Sequence, residues 1–189
     1  MVLRFNERRA TEASARLLKL RGGRMSYLKL IKLLYLLDRE ALLRWGRPVT
    51  TDRYVSIGRW PGDDGPVVSR VYDLIREEPA PGSDPVWRHY ISAPSGFEVA
   101  LIAEPETDEL SRAEEALIDE VFSKFGKLSR WDLVKISHEL PEWQDPKGGA
   151  IPIEYRDILR AGNKTESEIA AVESELEALA FTEAMLQPA

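Results

Sequence analysis

Few side chains in this chain could carry chemistry. There are two histidines, His89 and His138, and no cysteine. No His-Glu-x-x-His pattern or second nearby histidine accompanies His138, so the spacing for a zinc site is missing. No Gly-x-Ser-x-Gly elbow is present, and Ser137 beside His138 is a neighbour in sequence rather than a dyad. The glycine pairs Gly22-Gly23 and Gly148-Gly149 read as helix stops or turns, not as a phosphate cradle. Asp63-Asp64 sits in a Gly/Pro loop and reads as turn chemistry. No cofactor motif is visible, and no cofactor or metal is expected. One acid–base combination remains: Asp38 with His138, should helix packing bring them together. The alternative for His138 is a packed imidazole with a hydrogen-bond partner, on a helix face shared with Trp131 and Val134. Trp60, between Arg59 and Pro61 in a loop, either anchors a protein partner or folds back onto its own domain.

Asp38 depends on the stretch that positions it. Ser26 to Trp45 reads as one helix, with Ser26 as its N-cap. At 100° per residue, Tyr27, Leu28, Leu30, Ile31, Leu34, Tyr35, Leu37, Ala41, Leu42 and Trp45 fill about half the wheel. Lys29, Lys32, Arg39 and Glu40 fall outside that arc, and Asp38 falls near its centre. A helix this apolar belongs in the core, and a carboxylate on its buried face needs a partner.

The remaining elements follow from caps and breakers. Asn6 opens a first helix that Gly22 and Gly23 end. Tyr54 to Ile57 has strand propensity, and Pro66 is placed as the first residue of a helix with Val68, Val71, Tyr72 and Ile75 on its face. Val86–Ser92 and Phe97–Ala103 flank a turn and read as a β-hairpin. Ser111 with Glu114, Ser129 with Asp132 and Thr165 with Glu168 are capping boxes. The last opens a tail helix with Ile169, Val172, Leu176 and Leu179 on one stripe. The expectation is a mainly helical α+β fold with a central amphipathic core helix, a small antiparallel β-hairpin or sheet and a C-terminal helix. Residues 1–163 form one domain, with 164–189 as an amphipathic helix packed on it. The 189 residues carry 43% hydrophobic and 31% charged side chains, ordinary for a globular chain. A net charge of −6 argues against nucleic acid as the main partner and suits a basic protein. No signal peptide or membrane span is visible, and the lack of cysteine fits a reducing cytoplasm.

Four segments, taken in order, carry a family likeness: KLIKLLYLLDREAL (Lys29 to Leu42), GRPVTTDRYVS (Gly46 to Ser56), GPVVSRVYDLI (Gly65 to Ile75) and ISHELPEW (Ile136 to Trp143). Together they resemble the SocA-like Panacea domain of antitoxins and phage-associated proteins, over about Arg24 to Gly162. One departure is IGRWPGDD between Ser56 and Gly65, longer than the family's usual link. The resemblance implies an antitoxin of a toxin–antitoxin pair that neutralises a cognate protein toxin by direct binding, and no enzyme. It also implies an alternative role as a proteolytic adaptor, handing the bound toxin to a cytoplasmic AAA+ protease. Arg59, Trp60, Asp63, Gly65 and Pro66 are the expected partner contacts. Tyr35, Asp38, His138 and Trp143 are the expected structural core of the motif. The expected partners for Asp38 are His138, Arg70, Arg130 or a helix N-terminus.

Overall fold

The computed structural model describes residues 3–58, 65–106 and 108–186. In chain order its elements are α1 (Glu7–Leu20), β1 (Arg24–Ser26), α2 (Tyr27–Trp45), β2 (Tyr54–Ile57), β3 (Gly65–Val68), α3 (Ser69–Arg76), α4 (Val86–Tyr90), β4 (Glu98–Ala100), α5 (Arg112–Phe125), α6 (Arg130–His138), β5 (Ala150–Ile153), α7 (Tyr155–Ala161) and α8 (Glu166–Met185). This is a mainly helical α+β architecture. Helix α2 is its axis: α1, α5, α6, α7 and β3 all pack on it. Leu30, Ile31, Leu33, Leu34, Tyr35 and Leu37 are wholly buried, so α2 is enclosed around its circumference rather than over half of it. Gly46 ends it in the left-handed conformation, which glycine adopts without a Cβ clash.

Two small antiparallel sheets flank this axis. β1 pairs with β4, with Met25 opposite Val99. The second has the order β3-β2-β5, with Tyr54 opposite both Val68 and Ile153. Asn6 caps α1, and the three expected capping boxes close at Ser111/Glu114, Ser129/Asp132 and Thr165/Glu168. Ile169 and Leu176 of α8 are buried, and Val172 closes its methyls against Gly46.

Several local expectations are overturned, each by a contact distant in sequence. Val86–Tyr90 is a helix, not the first arm of a hairpin, and its Trp87 is fully buried. The Trp87 amide, free at the helix start, donates to Glu7 Oε1 at 2.8 Å. The two arms still meet beyond α4, where Ile91 bridges Leu101 and the Ser92 amide donates to the Ala100 carbonyl at 2.9 Å, while the strand at residues 98–100 pairs along its length with β1. Ser26 makes no side-chain cap, because it is paired in β1 opposite Glu98; the first amide of α2, that of Tyr27, donates to the Phe97 carbonyl at 3.0 Å. Pro66 lies in β3 opposite Ser56, and α3 begins only at Ser69. Lys32, expected on the polar side of the wheel, is completely buried, whereas Trp45, expected inside, is exposed.

Candidate functional site

Asp38 is the first centre of a polar seam that runs through the core. Its Oδ1 accepts from the amides of Val49 (2.8 Å) and Thr50 (2.9 Å). Its Oδ2 accepts from the Tyr54 hydroxyl at 3.1 Å and from Thr50 Oγ1. None of the partners expected from sequence is among these. The carboxylate instead ties α2 to the segment that leaves it, because Pro48 forces an extended exit that carries the next two amides back along the helix. Complete burial pushes the Asp38 carboxyl up to about 7, against the opposing pull of the Thr50 and Tyr54 hydrogen bonds.

Asp52 takes the role that the sequence reading offered to Asp38. It accepts from Arg70 N at 2.9 Å and Val71 N at 3.0 Å, so it caps α3 from a distant part of the chain. It also accepts from Arg53 N at 2.6 Å. Burial raises its carboxyl to about 6. The Tyr155 hydroxyl donates to the Asp52 carbonyl at 2.8 Å, which pins the same segment to α7.

The second centre joins α2 to the turn after α6. Glu142, buried, accepts from the Tyr35 hydroxyl at 3.0 Å and from Arg39 Nε at 2.7 Å. Burial and the Glu142 charge push the Tyr35 phenol well up, so it remains a neutral donor. His138 stacks on Trp143 with ring centres 4.4 Å apart and planes 19° from parallel. The Lys32 ammonium donates to the Pro66 carbonyl at 2.9 Å. Gly65, at φ +114°, closes this corner: a Cβ there would stand 2.8 Å from Lys32 Nζ and 3.0 Å from His138 Nε2. Among the described residues, the buried His138 Nε2, Trp143 Nε1 and Ser56 Oγ have no hydrogen-bond partner. The imidazole is thus held by stacking and not by the hydrogen bond expected of it. Asp38 and His138 belong to separate networks, and both oxygens of Asp38 are occupied by structural donors, so the acid–base combination is not assembled.

Of the expected partner contacts, Arg59, Trp60 and Asp63 lie outside the described residues. Gly65 and Pro66 are buried in β3. The sequence reading missed Asp52, Lys32 and Glu142, whose types gave no hint of burial. It also missed a surface cluster. The Arg130 guanidinium lies 5.3 Å from the ring centre of Phe97 and 4.7 Å from that of Trp131, and the two aromatics are 65% and 51% exposed. Arg130-Trp131 was legible as an adjacency, but Phe97 comes from the far side of the chain. A cleft of about 830 Å³ lined by Arg4, Arg53, Arg70 and Arg88 also holds Asp73, Glu77, Glu78 and Asp84, so its charges offset each other. Among the described residues, no group of three or more His, Asp or Glu could hold a metal ion. None of their helices is long and apolar enough to cross a membrane.

The family model described as "Antitoxin SocA-like, Panacea domain" matches residues 30–144. No curated protein and no solved structure gives a match. The matched span contains Tyr35, Asp38, Asp52, Gly65, His138, Glu142 and Trp143, both centres of the buried seam, while α8 lies beyond it. On a match over more than half its length, the chain belongs to the SocA-like Panacea domain family of antitoxins.

Proposed function

We propose that this chain is the antitoxin of a toxin–antitoxin pair, and that it neutralises a cognate protein toxin in the cytoplasm by direct binding, with no reaction catalysed. The family match over residues 30–144 carries this reading. The placement of the perturbed carboxylates agrees with it. Raised carboxyls in an open cleft would suggest acid–base catalysis, but those of Asp38 and Asp52 are closed in by backbone amides and hydroxyls of their own fold. The seam makes a stiff platform, and the toxin is held at its edge. The contacts in this reading are Arg59, Trp60 and Asp63 of the 58–66 segment, with Gly65 and Pro66, and the surface of α6. Trp131 and Arg130 are the residue types that anchor protein interfaces, and stacking already holds the arginine in place. Neither nucleic acid nor membrane is a partner in this reading.

Co-expression with the product of the adjacent open reading frame tests it. The expected result is rescue of growth and co-purification of the two chains; failure of both overturns the proposal. Toxin abundance separates the two modes of action. Constant abundance during rescue indicates neutralisation alone. Abundance that falls only when a AAA+ protease is also present indicates delivery to that protease.

A further inference from the structure

Helix α8 has two apolar sides and only one of them is covered. Ile169, Val172 and Leu176 face the core. On the opposite side Ala171, Ser174, Ala178, Phe181 and Met185 recur at alternating spacings of three and four, and all are exposed. This is the seam of a heptad helix awaiting a partner helix. Toward the end of α8 three large apolar side chains stand exposed: Phe181 is 66% exposed, Met185 72% and Leu186 78%. Large apolar side chains exposed together mark an interaction surface.

Charge identifies the occupant. α8 contains no lysine or arginine. Glu173 is paired with Arg156, Glu166 with Arg160 and Glu168 with Lys164. Among the described residues Glu175, Glu177 and Glu183 have no such pair, and Glu175 and Glu177 border the outer seam on either side. A second copy of α8 would set these glutamates against their like. A helix with an apolar stripe bordered by Lys or Arg would pair with them instead. We infer that the outer face of α8 is a docking surface for a basic amphipathic helix of a partner protein. That the partner is the toxin rests on the function proposed above; the surface and its chemistry do not.

The test uses the full chain and two labelled synthetic heptad peptides, both with Leu at the seam positions, one with Lys and one with Glu beside them, followed by fluorescence anisotropy. The Lys peptide should bind saturably and weaken as salt rises, and the Glu peptide should not bind. F181E and M185E should each weaken binding by about tenfold or more at an unchanged thermal midpoint. E175Q combined with E177Q should flatten the salt dependence. Should F181E fail to fold, M185E decides. Absence of binding to the Lys peptide, equal binding of both peptides, or full binding by a folded M185E overturns the inference. So does a wild-type dimer that M185E dissociates, because the occupant is then a second copy. Growth rescue reads the antitoxin role separately, so either reading can fail while the other stands.

Discussion

Replacing Asp38 by Ala and by Asn separates the two things this side chain does. As an acceptor it satisfies two backbone amides, which cannot turn to find another partner, and two hydroxyls. Ala removes all four acceptor contacts. At about 1–3 kcal/mol for each buried amide left unpaired, Asp38→Ala should lose about 2–6 kcal/mol, a large share of the stability of a domain. Asn keeps one oxygen for the amides of Val49 and Thr50, and the hydroxyls of Thr50 and Tyr54 can rotate to accept from its amide group. Near pH 5 Asp38→Asn should therefore cost only about 1 kcal/mol. As an acid, Asp38 is raised from an ordinary value of 3.8 to about 7 by burial. Below the ordinary value the folded and unfolded chains both hold the proton. Between about pH 4 and 7 the unfolded chain releases it while the fold retains it, so stability falls as pH rises through this window and is level above it. The full loss is roughly 4 kcal/mol, of which roughly 3 kcal/mol falls between about pH 5 and pH 8. Asn has no such proton, so the two curves should converge and cross as pH rises. Urea denaturation followed by far-UV circular dichroism across this range measures both effects. Parallel curves for wild type and Asp38→Asn would refute the buried protonated carboxyl. An Asp38→Ala chain as stable as Asp38→Asn near pH 5 would refute the clamp. A well-folded Asp38→Ala chain that no longer binds the toxin would move the residue to the functional surface.

Other perturbations reach the rest of the seam. Gly65→Ala should lose about 1–3 kcal/mol in the same denaturation assay, since φ is +114° and the new methyl meets Lys32 and His138. Glu142→Ala strips the acceptor from Arg39 and Tyr35 at a buried site and should cost about 3–5 kcal/mol, read from the urea midpoint. Asp52→Ala uncaps α3 and should cost about 1–2 kcal/mol, with amide hydrogen exchange rising first at Arg70 and Val71. Arg130→Ala and Trp131→Ala should weaken toxin capture by about tenfold or more while leaving the thermal midpoint in place.

The parts legible in the sequence were those governed by contacts a few residues apart. Three capping boxes, the Asn6 cap and the end of α2 at Trp45 all formed where local spacing put them, because each closes a hydrogen bond within one helical turn. Ile91 and Ser92 pair with Leu101 and Ala100 as a hairpin should, but residues 86–90 are helical because Glu7, far back in α1, supplies the acceptor for the first turn of α4. Lys32 defeated the helix wheel for a related reason. The wheel assumes one buried face, and β3 covers the other, giving the ammonium the Pro66 carbonyl.

By itself, the sequence determined that α2 would be the core helix and that Asp38 would face inward and need partners, and its four segments in order resembled the SocA-like Panacea domain. Those conclusions rest on periodicity, caps and linear order, which exist in one dimension. Only the tertiary structure decided which groups meet. It gave Asp38 the amides of the chain leaving its own helix, gave the distant cap of α3 to Asp52, and stacked His138 on Trp143 away from Asp38. Hydrogen bonding and burial depend on where a donor stands in space, and a carboxylate is satisfied by whichever amides the packing delivers to it.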